Sequence, residues 1–195
     1  MITKKERFQG AILLLLVLIG LVLPFQCDLT ADQRYTLTPE AKKELAELNQ
    51  SIKIDVFLAG KLPPTFQRLR REIETVLTRM NAKNKELFVE YIDPFDTTEG
   101  RQVVMKEMQQ YGLIPQTVVA DNNQSIDQTV VFPWAIVSNG KTSVRVSLWQ
   151  KNMGDSPEDI FFRSVSQLEY QFLDGIKQLT LTTKKNLAVL TSHKT

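Results

Sequence analysis

The chain has 195 residues, 24 basic and 22 acidic side chains, and a formal charge of +2, so it carries no strong field for nucleic acid or for an acidic substrate. Its single cysteine, Cys27, and single histidine, His193, lie near opposite ends, which makes a zinc site or a thiol–imidazole nucleophile a poor reading. The composition is that of an ordinary globular protein, neither disordered nor disulfide-rich.

Lys4, Lys5 and Arg7 precede an uncharged run from Phe8 to Cys27, close to the ~20 residues a helix needs to cross the bilayer hydrocarbon. Ile12, Leu13, Leu14, Leu15, Leu16, Val17, Leu18, Ile19, Leu21, Val22 and Leu23 make up its apolar body. A cleaved signal peptide would carry a shorter apolar region ending at a small-x-small site. Leu23-Pro24-Phe25-Gln26-Cys27 is no such site, nor does it suit lipoprotein cleavage. The expectation is an uncleaved transmembrane anchor over 1–27, in contact with membrane lipid. Basic residues before the span, with Asp28 and Asp32 after it, put the N-terminus in the cytoplasm and the rest outside. The expected location is the inner membrane, with a periplasmic soluble domain.

Residues 28–50 read as a juxtamembrane linker and helix. Thr38 suits the cap, Pro39 the first helical position and Glu40 the first turn, and Ala41, Leu45 and Leu48 share a face. The main domain is expected over 51–180. Ile52, Ile54, Val56 and Leu58 alternate with Lys53, Asp55 and Phe57, a strand pattern. In "LPPTFQRLRREIETVLTRMNAKN" an apolar stripe of Phe66, Leu69, Ile73, Val76, Leu77 and Met80 predicts a helix. Arg68, Arg70 and Arg71 sit largely off that stripe; they suit phosphate or anionic lipid, but a solvated face paired with Glu72 and Glu74 is the preferred reading. "ELFVEYIDP" predicts a second strand, and a third helix is expected from about Thr97 to Tyr111, with Gly112 as its stop.

A short strand is expected at Thr117–Ala120, then a hairpin over Thr129–Trp149 turning at Asn139-Gly140. The longest helix of the main domain follows, with Ser156 as cap, Pro157 at its start and Glu158 and Asp159 in its first turn. Phe161, Val165, Leu168, Phe172, Ile176 and Leu179 recur at helical spacing and read as a packing seam. "KKNLAVLTSH", within 181–195, is a final strand of this sheet or the start of a second domain.

The order of these elements resembles the thioredoxin fold, so the expected class is α/β: an N-terminal transmembrane helix followed by a thioredoxin-like domain without a Cys-x-x-Cys site. Pro133 stands where that fold carries a cis-proline. A cis Phe132–Pro133 bond and a trans proline opening an edge strand are both open. Between the first strand and its helix the sequence reads "AGKLPPTF", without a thiol, and thiol exchange requires a thiolate. Asp93, Asp96 and Glu99 follow the second strand and could form a metal or acid–base site, although a turn and a helix cap are the commoner use of such residues. No phosphate-binding loop or nucleophile elbow is present.

Arg34-Tyr35-Thr36-Leu37-Thr38, "IKIDVFLAGKLPPTFQRLRREIETVLTRM", "VEYIDP", "LEYQFLDGIKQLT" and "NLAVLTSH" follow one another in this order. Together they resemble the GldG-like auxiliary subunits of ABC transporters, known from gliding-motility systems. The resemblance implies a non-catalytic accessory protein without a cofactor, whose partners are an ABC permease subunit and a cytoplasmic ATPase, acting in gliding motility or secretion through protein contacts. The alternative is an extracytoplasmic solute-binding component delivering a small ligand to the permease, with Trp134, Trp149 and Tyr91 as candidate pocket aromatics.

Overall fold

The computed structural model describes residues 36–121 and 126–180. They form an α/β domain in which a mixed four-stranded sheet is joined by four helices. In chain order these are α1 (Pro39–Glu47), β1 (Ile52–Val56), α2 (Pro64–Lys83), β2 (Leu87–Tyr91), α3 (Arg101–Gln110), β3 (Gln116–Asp121), β4 (Ile126–Val131), β5 (Trp134–Ser138), β6 (Ser143–Ser147) and α4 (Pro157–Thr180). The sheet order is β2-β1-β5-β6. β1 and β2 are parallel, with Ile52 opposite Leu87 and Val56 opposite Tyr91. β5 runs antiparallel to both β1 and β6.

The period-2 pattern of β1 decides which face is dry. Ile52, Ile54 and Val56 are fully buried, as are Ala135 and Val137 beside them on β5. They share one apolar core with Phe66, Leu69, Ile73 and Met80 of α2 and with Phe161, Leu168 and Phe172 of α4. α1 belongs to the same core through Ala41 and Leu45, and the compact unit begins at Leu37. The expected boundary between 50 and 51 therefore does not separate α1 from the sheet. Cross-links hold it there: Asn84 donates from Nδ2 to the carbonyls of Leu45 (2.8 Å) and Leu48 (3.0 Å), and Lys177 pairs with Glu44 at 2.9 Å.

Helix ends follow local chemistry. Thr38 Oγ1 accepts from Ala41 N–H at the start of α1. At α4, Ser156 Oγ accepts from Asp159 N–H while the Asp159 carboxylate accepts from Ser156 N–H, a reciprocal capping box. α3 starts at Arg101, later than expected. Thr97 Oγ1 accepts Glu99 N–H in a turn instead of capping a helix, and Gly100 takes the cap position without a side-chain bond.

The expected hairpin over Thr129–Trp149 divides in two. β4 leaves the main sheet and pairs with β3, Val131 opposite Gln116, as a separate two-stranded ribbon. Only β5 and β6 form the sheet hairpin, around Asn139–Thr142. Asn139 Oδ1 accepts from the N–H groups of Lys141 and Thr142, and Gly140 has φ +81°, a conformation that favours glycine. Pro133 marks the division, and its bond to Phe132 is trans, not cis. The Phe132 carbonyl accepts Trp134 N–H at 2.8 Å, so the chain turns there at a position where a missing N–H takes nothing from a ladder.

Among the described residues, no helix is long and apolar enough to cross a membrane. The expected anchor, Ile12–Leu23, and the expected strand in 181–195 lie outside those residues.

Candidate functional site

The C-terminal ends of β1 and β2 and the start of β5 meet at one edge of the sheet. Phe57 N–H donates to the Trp134 carbonyl, Ile92 N–H to the Val56 carbonyl, and Ala59 N–H to the Ile92 carbonyl. Three connections thus converge: the β1–α2 turn, the β2–α3 turn and the β4–β5 junction. Between them is an open cleft of about 70 Å³. Lys61 and Leu62 line it from the first connection, Asp93, Phe95 and Arg101 from the second, and Val131 and Phe132 from the third.

Each wall has a local cause. Gly60, at φ +73°, turns the chain out of β1, and a Cβ there would collide with the Asp93 carboxylate. Asp93 Oδ1 accepts Phe95 N–H at 2.9 Å, which closes the turn after β2. Phe95 then packs at a tilt against buried Phe132, with ring centroids 5.9 Å apart. The Arg101 guanidinium lies 4.1 Å above the Phe95 ring.

Several sequence candidates take other places. Asp93 serves the turn, and among the described residues no three His, Cys, Asp or Glu side chains come together as a metal site. Trp134 donates from Nε1 to the Ile114 carbonyl and alternates with core residue Ala135, whereas Trp149 and Tyr91 pack against the core from the other face. Trp149 lies 4.8 Å from the Phe66 ring and Tyr91 5.0 Å from the Arg70 guanidinium. The three aromatics do not converge on one pocket. The α2 arginines also reach across to other elements: Arg68 lies over Phe161 and approaches Glu158 of α4 at 3.9 Å. Pro133 is buried beside the cleft, and Asn139 and Gly140 occupy the distal β5–β6 turn.

The walls that make this cleft lie within one recognised sequence family. Residues 31–138 match the family described as "Domain of unknown function (DUF7088)". The chain belongs to that family. No curated protein and no solved structure matches it. The matched segment runs from before α1 through β5 and contains every residue that lines the cleft.

Arg101 and its stacking on Phe95 escaped the sequence reading. The sole cue was an arginine shortly after the turn formed by Asp93-Pro94-Phe95.

Proposed function

We propose that this chain is a membrane-anchored, non-catalytic accessory subunit of an ABC-type transporter complex, acting in gliding motility or secretion through protein contacts. Its α/β domain is thioredoxin-like on this reading. Four strands in the order β2-β1-β5-β6, with β1 parallel to β2 and antiparallel to β5, support that topology. So does the placement of a helix after β1, after β2 and after β6.

The observation that carries the functional reading is the β1–α2 turn. In a redox thioredoxin fold that turn supplies the attacking thiolate. Here it reads Ala59-Gly60-Lys61-Leu62-Pro63-Pro64, and Pro63 caps α2 without a side-chain hydrogen bond. The fold's reactive position is thus furnished with a cation and apolar groups, which suits contact more than electron transfer. The uncharged run Phe8–Cys27 behind basic residues supports the anchor and a periplasmic domain. The likeness to GldG-like subunits supports a permease and an ATPase as partners.

The test is co-purification of the tagged full chain from mild detergent. A multi-span permease and a cytoplasmic ATPase are expected with it. Recovery of neither refutes the accessory reading.

A further inference from the structure

We propose that the cleft formed by the β1–α2 turn, the β2–α3 turn and Phe132 binds a carboxylate side chain presented by an acidic segment of a partner protein. This rests on the reading of the chain as a contact subunit, and names the chemistry of the contact.

Charge points to an anion. Two cations, Lys61 and Arg101, line the cleft against one carboxylate, Asp93. Asp93 is engaged with the Phe95 N–H, and no ion pair within 4.0 Å joins it to either cation. Among the described residues neither cation meets any other carboxylate. The cleft therefore carries a surplus of positive charge in the free chain.

Geometry narrows the anion. The Arg101 guanidinium carbon sits over the Phe95 ring, 4.1 Å from its centroid, and a guanidinium held on a ring face offers a fork of N–H donors that matches two carboxylate oxygens. Volume narrows it further. The cleft measures about 70 Å³. Pockets for drug-sized molecules begin near ~300 Å³, which disfavours a nucleotide or a large solute. Leu62 and Phe132 are buried apolar walls, suited to the methylenes and apolar neighbours of a glutamate.

The experiment is a nitrogen-15 NMR titration of the full chain in detergent micelles. The probes are acetyl-Leu-Glu-Leu-amide, its glutamine counterpart and inorganic phosphate. The glutamate peptide is expected to shift the Leu62 and Phe132 amides and the Arg101 Nε–H, with a Kd on the order of millimolar. The glutamine peptide should bind at least about tenfold more weakly, and Arg101→Gln should weaken the glutamate peptide about tenfold. Arg101→Lys should fall between, because an ammonium keeps the charge and loses the planar grip. Resonances away from the cleft should stay in place in each variant, which shows that the fold is retained. Equal binding of the two peptides, phosphate binding with a silent peptide, or no shift with any probe overturns the proposal. If permease and ATPase co-purify while the peptide is silent, the carboxylate site is wrong and the accessory reading stands. If the peptide binds and neither partner co-purifies, the accessory reading falls alone.

Discussion

Replacing Asn84 with alanine tests how α1 is held to the rest of the domain. Asn84 is the residue after α2, in extended conformation at φ −138°. Its Nδ2 donates to the Leu45 and Leu48 carbonyls at 2.8 and 3.0 Å, and its Oδ1 accepts Glu86 N–H at 2.8 Å. Leu45 and Leu48 are 0% and 6% exposed, and apart from Asn84 the Leu45 carbonyl accepts only a long bond from Leu48 N–H at 3.4 Å. Each neutral hydrogen bond contributes about 1 kcal/mol net, and a stranded buried group costs more. The expected loss for Asn84→Ala is therefore about 2–3 kcal/mol. In a domain of this size that is a fall of about 5–10 °C in Tm. Asn84→Asp keeps the acceptor for Glu86 N–H but sets a carboxylate against two carbonyl oxygens, so it should lose at least as much at pH 7. Urea unfolding of the full chain, followed by circular dichroism, measures both, with Lys85→Ala as an exposed control. An Asn84→Ala loss within about 0.5 kcal/mol of the control would refute the claim that this side chain fastens α1.

Three further outcomes follow from single contacts. A Cβ at Gly175 would lie 2.7 Å from Val146 Cγ2 and 3.3 Å from Val137 Cγ2; overpacking of about 1–3 kcal/mol against a helix-propensity gain of about 1 kcal/mol makes Gly175→Ala destabilising, and the loss should shrink in a Val146→Ala background. Glu169 Oε1 accepts from Thr38 N–H (3.0 Å) and Thr38 Oγ1 (2.6 Å) at the start of α1, so Glu169→Ala should cost about 1 kcal/mol and speed amide exchange across α1, with unchanged exchange counting against the contact. Tyr91 is pushed up to about 12 from 10.0, first by burial and then by Glu74. A folded pKa above the unfolded one gives a contribution that is whole below pH 10 and is lost as pH rises towards 12. Tyr91→Phe should therefore flatten the alkaline limb of stability in that window, read by urea unfolding at pH 9 and pH 11.

Local signals reached the structure where local chemistry decides it. Ser156-Pro157-Glu158-Asp159 names the start of α4, because capping needs only residues within one turn. The alternation of β1 names its buried face for the same reason. The ribbon of β3 and β4 was less legible, since the apolar run from Val130 to Val137 reads as one strand and Pro133 alone divides it. The start of α3 reads too early in the sequence because Thr97 closes a turn, and the cap falls to Gly100, which has no side chain to mark it. The buried face of α1 was legible as Ala41, Leu45 and Leu48, but its tie to Asn84, 39 residues beyond Leu45, is one no periodicity encodes. The cleft is of the same kind: Lys61, Arg101 and Phe132 meet only after the sheet orders its strands.

The family match stops at Ser138, and the packing argues that the folding unit does not. Val146, Leu148, Ile160, Phe161, Leu168, Phe172 and Ile176 are buried, and all lie past that point. At about 2 kcal/mol for each side chain removed from water, they contribute roughly 14 kcal/mol, as much as the whole net stability of a typical domain, about 5–15 kcal/mol. Their loss would also strip cover from Ala135 and Val137 on β5, and remove the Glu169 and Lys177 contacts to α1. A fragment of residues 31–138 is thus expected to lack a cooperative urea transition and to bind a hydrophobic dye, whereas 31–180 should unfold cooperatively. A cooperative transition in the shorter fragment, with native-like amide dispersion, would show that β6 and α4 are added to a self-sufficient core and would overturn the assignment of one core to helices α1, α2 and α4.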